Sequence, residues 1–376
     1  MVNIGILGFG SRWESCYRPA LEKLRDRIRV AAVYDPVAVR ARRVAEELGA
    51  VAMGGFLAAC RRKDVQAVLL LDAGWAGSAV LPLLCDERKP IYVACDVGAD
   101  PRLLERLHEM AISRGVTLMP ELGYRYTPAA LRLQELMATR LGKPRRITVQ
   151  IAEGSNRRRS SVTDSTDPPP SESTQRVVAG MGVHFIDTPQ WQPAEPFAGR
   201  SEPGPPFLAL VQWFDWCWYM FRLQPARVTC TRQNGEAGRR RPCHSVRIDF
   251  AASSSGRRSG VAELHVHFRL EQAVESREAE STVSTSPAIR VECESGEACL
   301  NGDKTISWAA GSQRKTETLA SDRSEVEVML DHFCRRVVGG LIPVADLNDV
   351  CRGLRLARAA ADSLRTGRPV VFRSDG

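Results

Sequence analysis

The chain opens on the apolar run Val2-Asn3-Ile4-Gly5-Ile6-Leu7, and as far as residue 120 short β-branched runs alternate with helical patterns. This spacing predicts strands over residues 4–7, 30–34, 67–71, 91–94 and 117–119, with helices over 37–48 and 101–114 between them. Asp100 as N-cap and Pro101 at the first helical position start the second of these helices. Repeated strand–helix–strand units with right-handed crossovers build a doubly wound parallel sheet with helices on both faces. The expected fold class of this half is a Rossmann-type α/β domain.

Beyond residue 125 the pattern changes. A helix over 128–139 leads into segments of period two at 146–153, 226–232, 245–251, 260–272 and 289–293, as in Leu264, Val266 and Phe268 with polar neighbours. They imply an α+β domain with a largely antiparallel, open-faced sheet. Two amphipathic helices follow: Val326, Met329, Leu330, Phe333 and Val337 recur at helical spacing before Gly339-Gly340, and Asp346 caps a run through Leu347, Val350, Leu354 and Leu364 that ends at Gly367. The expected division is 1–125 for an NAD(P)-binding domain and 126–376 for a substrate and oligomerisation domain. Segments 155–174 and 192–206, rich in Ser, Pro and charge, are expected to be mobile loops.

Composition fits two globular domains: 376 residues, 44% hydrophobic and 26% charged. No apolar run approaches the about 18 residues that a bilayer span needs, and the N-terminus has no secretory pattern, so no membrane association and a cytoplasmic location are expected. The 11 cysteines form no Cys-x-x-Cys pair and read as free thiols. The net charge of +8 raises the question of a nucleic-acid partner. Its densest runs, Arg157-Arg158-Arg159 and Arg239-Arg240-Arg241, lie in loop-like sequence without interleaved aromatics, so solvated loop charge is expected instead.

The first strand runs into Gly8-Phe9-Gly10-Ser11-Arg12-Trp13. A Gly-x-Gly turn lets backbone approach a pyrophosphate at the positive end of the next helix. Trp13 stands where a third small residue normally allows helix to pack on strand, which implies a displaced helix start or a reshaped phosphate site. Arg12 could reach a phosphate or lie on the surface. The second strand ends at Asp35, placed to accept hydrogen bonds from a ribose diol. Gly8, Gly10, Ser11, Arg12 and Asp35 are therefore the expected cofactor set. NAD is favoured over NADP because Asp35 would repel a 2′-phosphate, with Arg40, Arg42 and Arg43 nearby keeping NADP open.

The order of these segments resembles the Gfo/Idh/MocA oxidoreductases, the glucose–fructose oxidoreductase and inositol dehydrogenase family. Residues 30–50, VAAVYDPVAVRARRVAEELGA, are similar to that family's second strand and helix, Lys89-Pro90-Ile91-Tyr92-Val93 to its fourth strand, residues 118–128 to its Arg-bearing fifth strand and turn, and 325–372 to its closing helices and strand. The resemblance implies an NAD(P)-dependent oxidation of a sugar, polyol or related hydroxyl compound, and a homo-oligomer. It also implies sites: Cys95 and Asp96 fall where the family has the Lys-Pro of Glu-Lys-Pro, and Gly182-Val183-His184-Phe185-Ile186-Asp187 resembles its Gly-x-His-x-x-Asp. His184 is the candidate general base, with Asp187 one turn later. Gly180 replaces the usual orienting Asp, and Gln212-Trp213-Phe214-Asp215 could fill the same slot without a histidine. Cys95 reads foremost as a buried strand-end thiol. Tyr124 and Arg125 could contact substrate, or Arg125 could tie the domains together. The family turn after the third strand is replaced by Asp72-Ala73-Gly74-Trp75. His265 and His267 share one side of a strand but have no third ligand in view, so no metal is expected. The departures at Cys95, Gly180 and 72–75 motivate the alternative, a catalytically degenerate dinucleotide-binding or regulatory scaffold.

Overall fold

The computed structural model describes residues 1–94, 97, 101–152, 210–221, 224–233, 243–251, 264–271, 288–319 and 323–372. Segments 155–174 and 192–206 and the N-cap Asp100 lie outside the described residues.

The first sheet contains β1 (Val2–Leu7), β2 (Ile28–Tyr34), β3 (Val51–Ala52), β4 (Ala67–Leu70), β5 (Ile91–Val93) and β6 (Leu118–Pro120). All its pairs are parallel, in the order β3-β2-β1-β4-β5-β6. Every residue of β4 and β5 is buried, as a parallel strand covered on both faces requires. Helices α1 (Arg18–Lys23), α2 (Ala38–Leu48), α3 (Phe56–Arg61), α4 (Val80–Asp86) and α5 (Pro101–Ser113) flank it. Leu104, Leu107 and Ala111 are the buried stripe of α5, the 3.6-residue spacing that marked it in the sequence.

After α6 (Pro128–Leu136) comes the second sheet: β7 (Pro144–Ala152), β8 (Gln224–Gln233), β9 (Cys243–Ala251), β10 (Leu264–Glu271), β11 (Ala288–Cys293), β12 (Gly296–Asn301), β13 (Thr305–Ala310), β14 (Gln313–Thr318) and β15 (Val370–Val371). Its order is β14-β13-β12-β11-β7-β10-β9-β8-β15, antiparallel throughout except for the β7/β10 pair. Ile147, Val149, Val246, Ile248 and Val291 are buried on its inner face. Helices α7 (Val211–Phe221) and α9 (Leu347–Thr366) join them in one core. The two helices pack closely because α9 carries glycine at the crossing: a Cβ on Gly353 would lie 2.8 Å from the Val211 carbonyl oxygen.

The remaining helix, α8 (Glu325–Val337), returns to the first sheet. Its Val326, Met329, Leu330 and Phe333 share a core with Ile4, Leu69 and Tyr92, and its buried Asp331 pairs with Arg27. The chain beyond β14 therefore closes both halves of the molecule.

Candidate functional site

In a sheet ordered 3-2-1-4-5-6 the connections leave β1 and β4 in opposite directions, so a crevice opens at the carboxyl ends of those two strands. The glycine turn lies there. Gly8 and Gly10 adopt left-handed φ of 70° and 56°, which side chains resist. At Gly8 the need is also steric, since a Cβ would stand 2.1 Å from the carbonyl oxygen of Asp72, just past β4. The Gly8 N–H donates to the Tyr34 carbonyl at 2.8 Å, and Asp72 Oδ1 accepts from the Gly74 N–H at 2.7 Å. Backbone atoms at the carboxyl ends of three neighbouring strands are thus drawn together, and the Phe9 ring between the two glycines is buried against Trp13. Ser11, next in line, is exposed.

Asp35 follows β2 and is only 3% exposed. Its Oδ2 accepts from the Phe9 N–H at 3.2 Å, and its Oδ1 from the Val37 N–H at 2.8 Å and Arg40 Nη2 at 2.8 Å. A carboxylate has about four lone-pair sites. One site remains open, and Arg40 would have to yield for a ribose diol to take two.

After the turn, residues Trp13–Tyr17 form a π-turn that runs directly into α1 at Arg18. Trp13 is buried against Phe9, ring centroids 4.8 Å apart. Arg12 turns to Glu121, whose carboxylate also accepts from the Tyr17 and Tyr92 hydroxyls, the latter at 3.2 Å.

A second polar cluster joins the two halves. Arg125 sits on the short turn Gly123–Tyr126 after β6 and is buried. Its Nε donates to Asp215 Oδ2 at 2.8 Å, its Nη2 to Asp215 Oδ1, and the same Nη2 lies 2.9 Å from Asp349 on α9. The guanidinium stacks over the Tyr219 ring at 4.7 Å, and neighbouring Tyr124 stacks on Trp213 at 3.9 Å. Burial pushes the Asp215 carboxyl up to about 6, although Arg125 opposes it. For Arg125 itself burial acts downward, but Asp215 and Asp349 outweigh it and keep the guanidinium charged. Both carboxylates thus engage Arg125, and the pairing ties the first half of the chain to α7 and α9.

The structure brings Gly8, Gly10 and Asp35 together, directs Arg12 to Glu121, and sets Tyr124 and Arg125 against α7. His184, Asp187, Cys95 and Asp96 lie outside the described residues. Gln212 and Asp215 lie on α7, the helix that meets the Arg-bearing turn. Glu121 and Asp349 carry no motif in the sequence, and Asp72 stands out there only as part of the altered turn Asp72-Ala73-Gly74-Trp75; Glu121 leaves one trace, as the acid directly after an apolar strand. Among the described residues no group of three His, Cys, Asp or Glu could hold a metal ion, and no helix is long and apolar enough to cross a membrane. An open depression of about 310 Å³ on β12–β14, lined by Glu297, Ser307, Trp308 and Arg314 among others, shares no residue with the glycine turn. The nine cysteines whose side chains are described are free thiols.

No family model and no curated protein matches the sequence. Solved structures do match the fold. The UDP-N-acetylglucosamine 3-dehydrogenase of Acidithiobacillus ferrooxidans superposes with a TM-score of 0.64 at 16% identity, covering 97% of this chain and 98% of that one. The aldose-aldose oxidoreductase of Caulobacter crescentus, complexed with glycerol, gives 0.66 at 14% identity over 99% of each chain. An oxidoreductase of Agrobacterium radiobacter, in complex with NAD+, L-tartaric acid and magnesium, gives 0.65 at 12% identity over 98% of each. At such identities the common property is the fold: this chain shares the overall architecture of these solved oxidoreductases.

Proposed function

We propose that this chain is an NAD-dependent oxidoreductase acting on a CH–OH group of a sugar, polyol or related compound. The observation that carries the reading is the left-handed glycine turn Gly8–Gly10, closely packed on Asp72 in the crevice between β1 and β4, with Asp35 beside it. That cradle fits a dinucleotide. A bound nicotinamide would supply the hydride acceptor. Backbone at Gly8–Ser11 would meet the pyrophosphate, and Asp35, released from Arg40, would hold the adenosine ribose. A 2′-phosphate would bring two more negative charges against Asp35, which favours NAD over NADP. In this reading His184, oriented with Asp187, takes the hydroxyl proton, Cys95 and Asp96 line the cleft where the family has its lysine, and Tyr124 flanks the substrate. The domain boundary falls near residue 125, the outer face of the second sheet pairs in a homo-oligomer, and the protein works in the cytoplasm.

A second reading, a scaffold of the same fold that binds without turnover, is favoured by one observation: Arg125, the polar group expected near substrate, is engaged by Asp215 and Asp349. Calorimetric titration with NAD and NADP separates the readings. NAD binding in the micromolar range is expected, with NADP weaker; no heat at millimolar cofactor sinks the enzyme reading. Given binding, a polyol panel assayed with His184→Ala tests the base, and unchanged turnover removes His184 from the mechanism.

A further inference from the structure

The glycine turn ends on a residue too large for its place, and the contact made on the far side of that residue supplies what the missing small side chain would have supplied. Where a third small residue lets helix pack on strand, the helix itself fixes the turn. Here Trp13 and the π-turn Trp13–Tyr17 intervene, so α1 begins eight positions after Gly10, at Arg18. A π-turn is rare and is found mostly as a single turn inside a helix. An anchor at both ends would fix it in place.

Glu121 provides one. Its N–H donates to the Val93 carbonyl at 2.8 Å, which sets it at the carboxyl ends of β5 and β6, and its side chain is 11% exposed against 24% for Arg12. One carboxylate receives three donors: Arg12 Nη1 on Oε1, and the Tyr17 and Tyr92 hydroxyls on Oε2. Arg12 and Tyr17 are the residues at either end of the π-turn, so one group pins both. Burial first, and the Glu121 charge second, hold the Tyr17 and Tyr92 phenols above their ordinary range, so both remain donors. Arg12 stays charged because Glu121 and Tyr17 outweigh its burial.

We propose that Glu121 is a positioning residue of the dinucleotide site, setting through Arg12 and Tyr17 the turn that approaches the pyrophosphate. This rests on the proposed cofactor binding. Its test compares Glu121→Gln and Tyr17→Phe with the unaltered protein by calorimetric titration against NAD and ADP-ribose, with adenosine binding followed by NMR and the unfolding midpoint recorded alongside. Glu121→Gln is expected to weaken NAD and ADP-ribose at least tenfold while adenosine, which lacks the pyrophosphate, changes less than threefold. Adding Arg12→Ala to it should cost less than a further threefold, because both changes release the same turn. Tyr17→Phe, which loses one hydroxyl, should weaken NAD about fivefold, and it carries the test if Glu121→Gln does not fold. NAD affinity within threefold in the folded variants overturns the role whatever happens to the midpoint, and so does an equal loss for adenosine, since a merely structural residue would act on both. If the unaltered protein binds no NAD, the cofactor reading falls and takes this role with it; if it binds and the variants bind equally, only the role of Glu121 falls.

Discussion

Replacing Arg125 by methionine removes the guanidinium that bridges two acidic side chains while keeping much of the apolar stem. Asp349 would retain Arg352, at 3.5 Å, and the Asp346 N–H, at 3.3 Å, and Asp215, 3% exposed, would lose both of its short contacts. Breaking a buried pair by removing one partner costs about 3–5 kcal/mol, because the other charge is left uncompensated. The pH dependence gives the sharper test. In the intact protein Asp215 is raised from 3.8 to about 6 by burial. A carboxyl raised on folding favours the native state fully below its unfolded pKa, and that contribution is lost as pH rises through the folded value. The two-unit rise is therefore a cost of about 3 kcal/mol above pH 6, at 1.36 kcal/mol per unit. Arg125→Met withdraws the group that holds Asp215 down, so its carboxyl climbs further, and each added unit deepens the loss by about 1.4 kcal/mol at higher pH. Urea unfolding followed by tryptophan fluorescence reads this locally, since Trp213, Trp216 and Trp218 share α7 with Asp215. The expected loss is about 3–5 kcal/mol at pH 8 and distinctly smaller at pH 5, where Asp215 is protonated in both proteins. Adding Asp215→Asn should flatten the pH dependence. A loss below about 1 kcal/mol at pH 8, or the same loss at both pH values, refutes the reasoning.

Two further changes test other parts of the structure. Gly8→Ala combines a left-handed φ with a Cβ 2.1 Å from the Asp72 carbonyl, whereas a Cβ on Gly10 meets nothing closer than 3.4 Å; thermal unfolding should show a loss of about 3 kcal/mol for the first and about 1–2 kcal/mol for Gly10→Ala, and equal effects would mean that the contact with Asp72 does not limit the turn. Glu317 is held down to about 2 from 4.5, chiefly by the Arg132 hydrogen bond and then by that from Trp308, so its contribution is present above pH 4.5 and disappears as pH falls through 2. The stability advantage of the unaltered protein over Glu317→Gln should narrow across that window in acid titrations, and an advantage that persists at pH 2 would rule out the Arg132 and Trp308 contacts as its source.

The parts of the fold legible in the sequence are those written in local spacing. The last long helix shows its limits directly: Asp346 forms a capping box with Asp349, and Gly367 closes the other end in the left-handed region. Asp35 is similarly readable, because it stands 26 positions from the Phe9 N–H it accepts, within a single strand–helix–strand unit. Strand β14 left no such mark. In β14 five of six residues are exposed, and the sixth, Glu317, is polar, so no period of two exists for a pattern to show. The packing of α8 on the first sheet was equally silent, because an amphipathic helix declares that it has an apolar face and not which sheet will cover it.

The candidate site divides along the same line. Trp13 was visible as a departure from the glycine pattern, but the group that answers it, Glu121, lies 109 positions from Arg12, and nothing in local spacing links them. Such compensation is what low identity with a retained fold requires. Apolar positions keep the sheets because any side chain of suitable volume fills a core, whereas polar positions work in sets, and when one member changes another must supply its charge or hydrogen bond. A likeness of fold therefore carries over the scaffold, including the crevice at β1 and β4, but not the chemistry. That rests on whether this chain's own substitutions form a working set. If Glu121 supports the turn that Trp13 distorts, the nucleotide half of the site is such a set, and the loss of a family residue at one position is not by itself a loss of function.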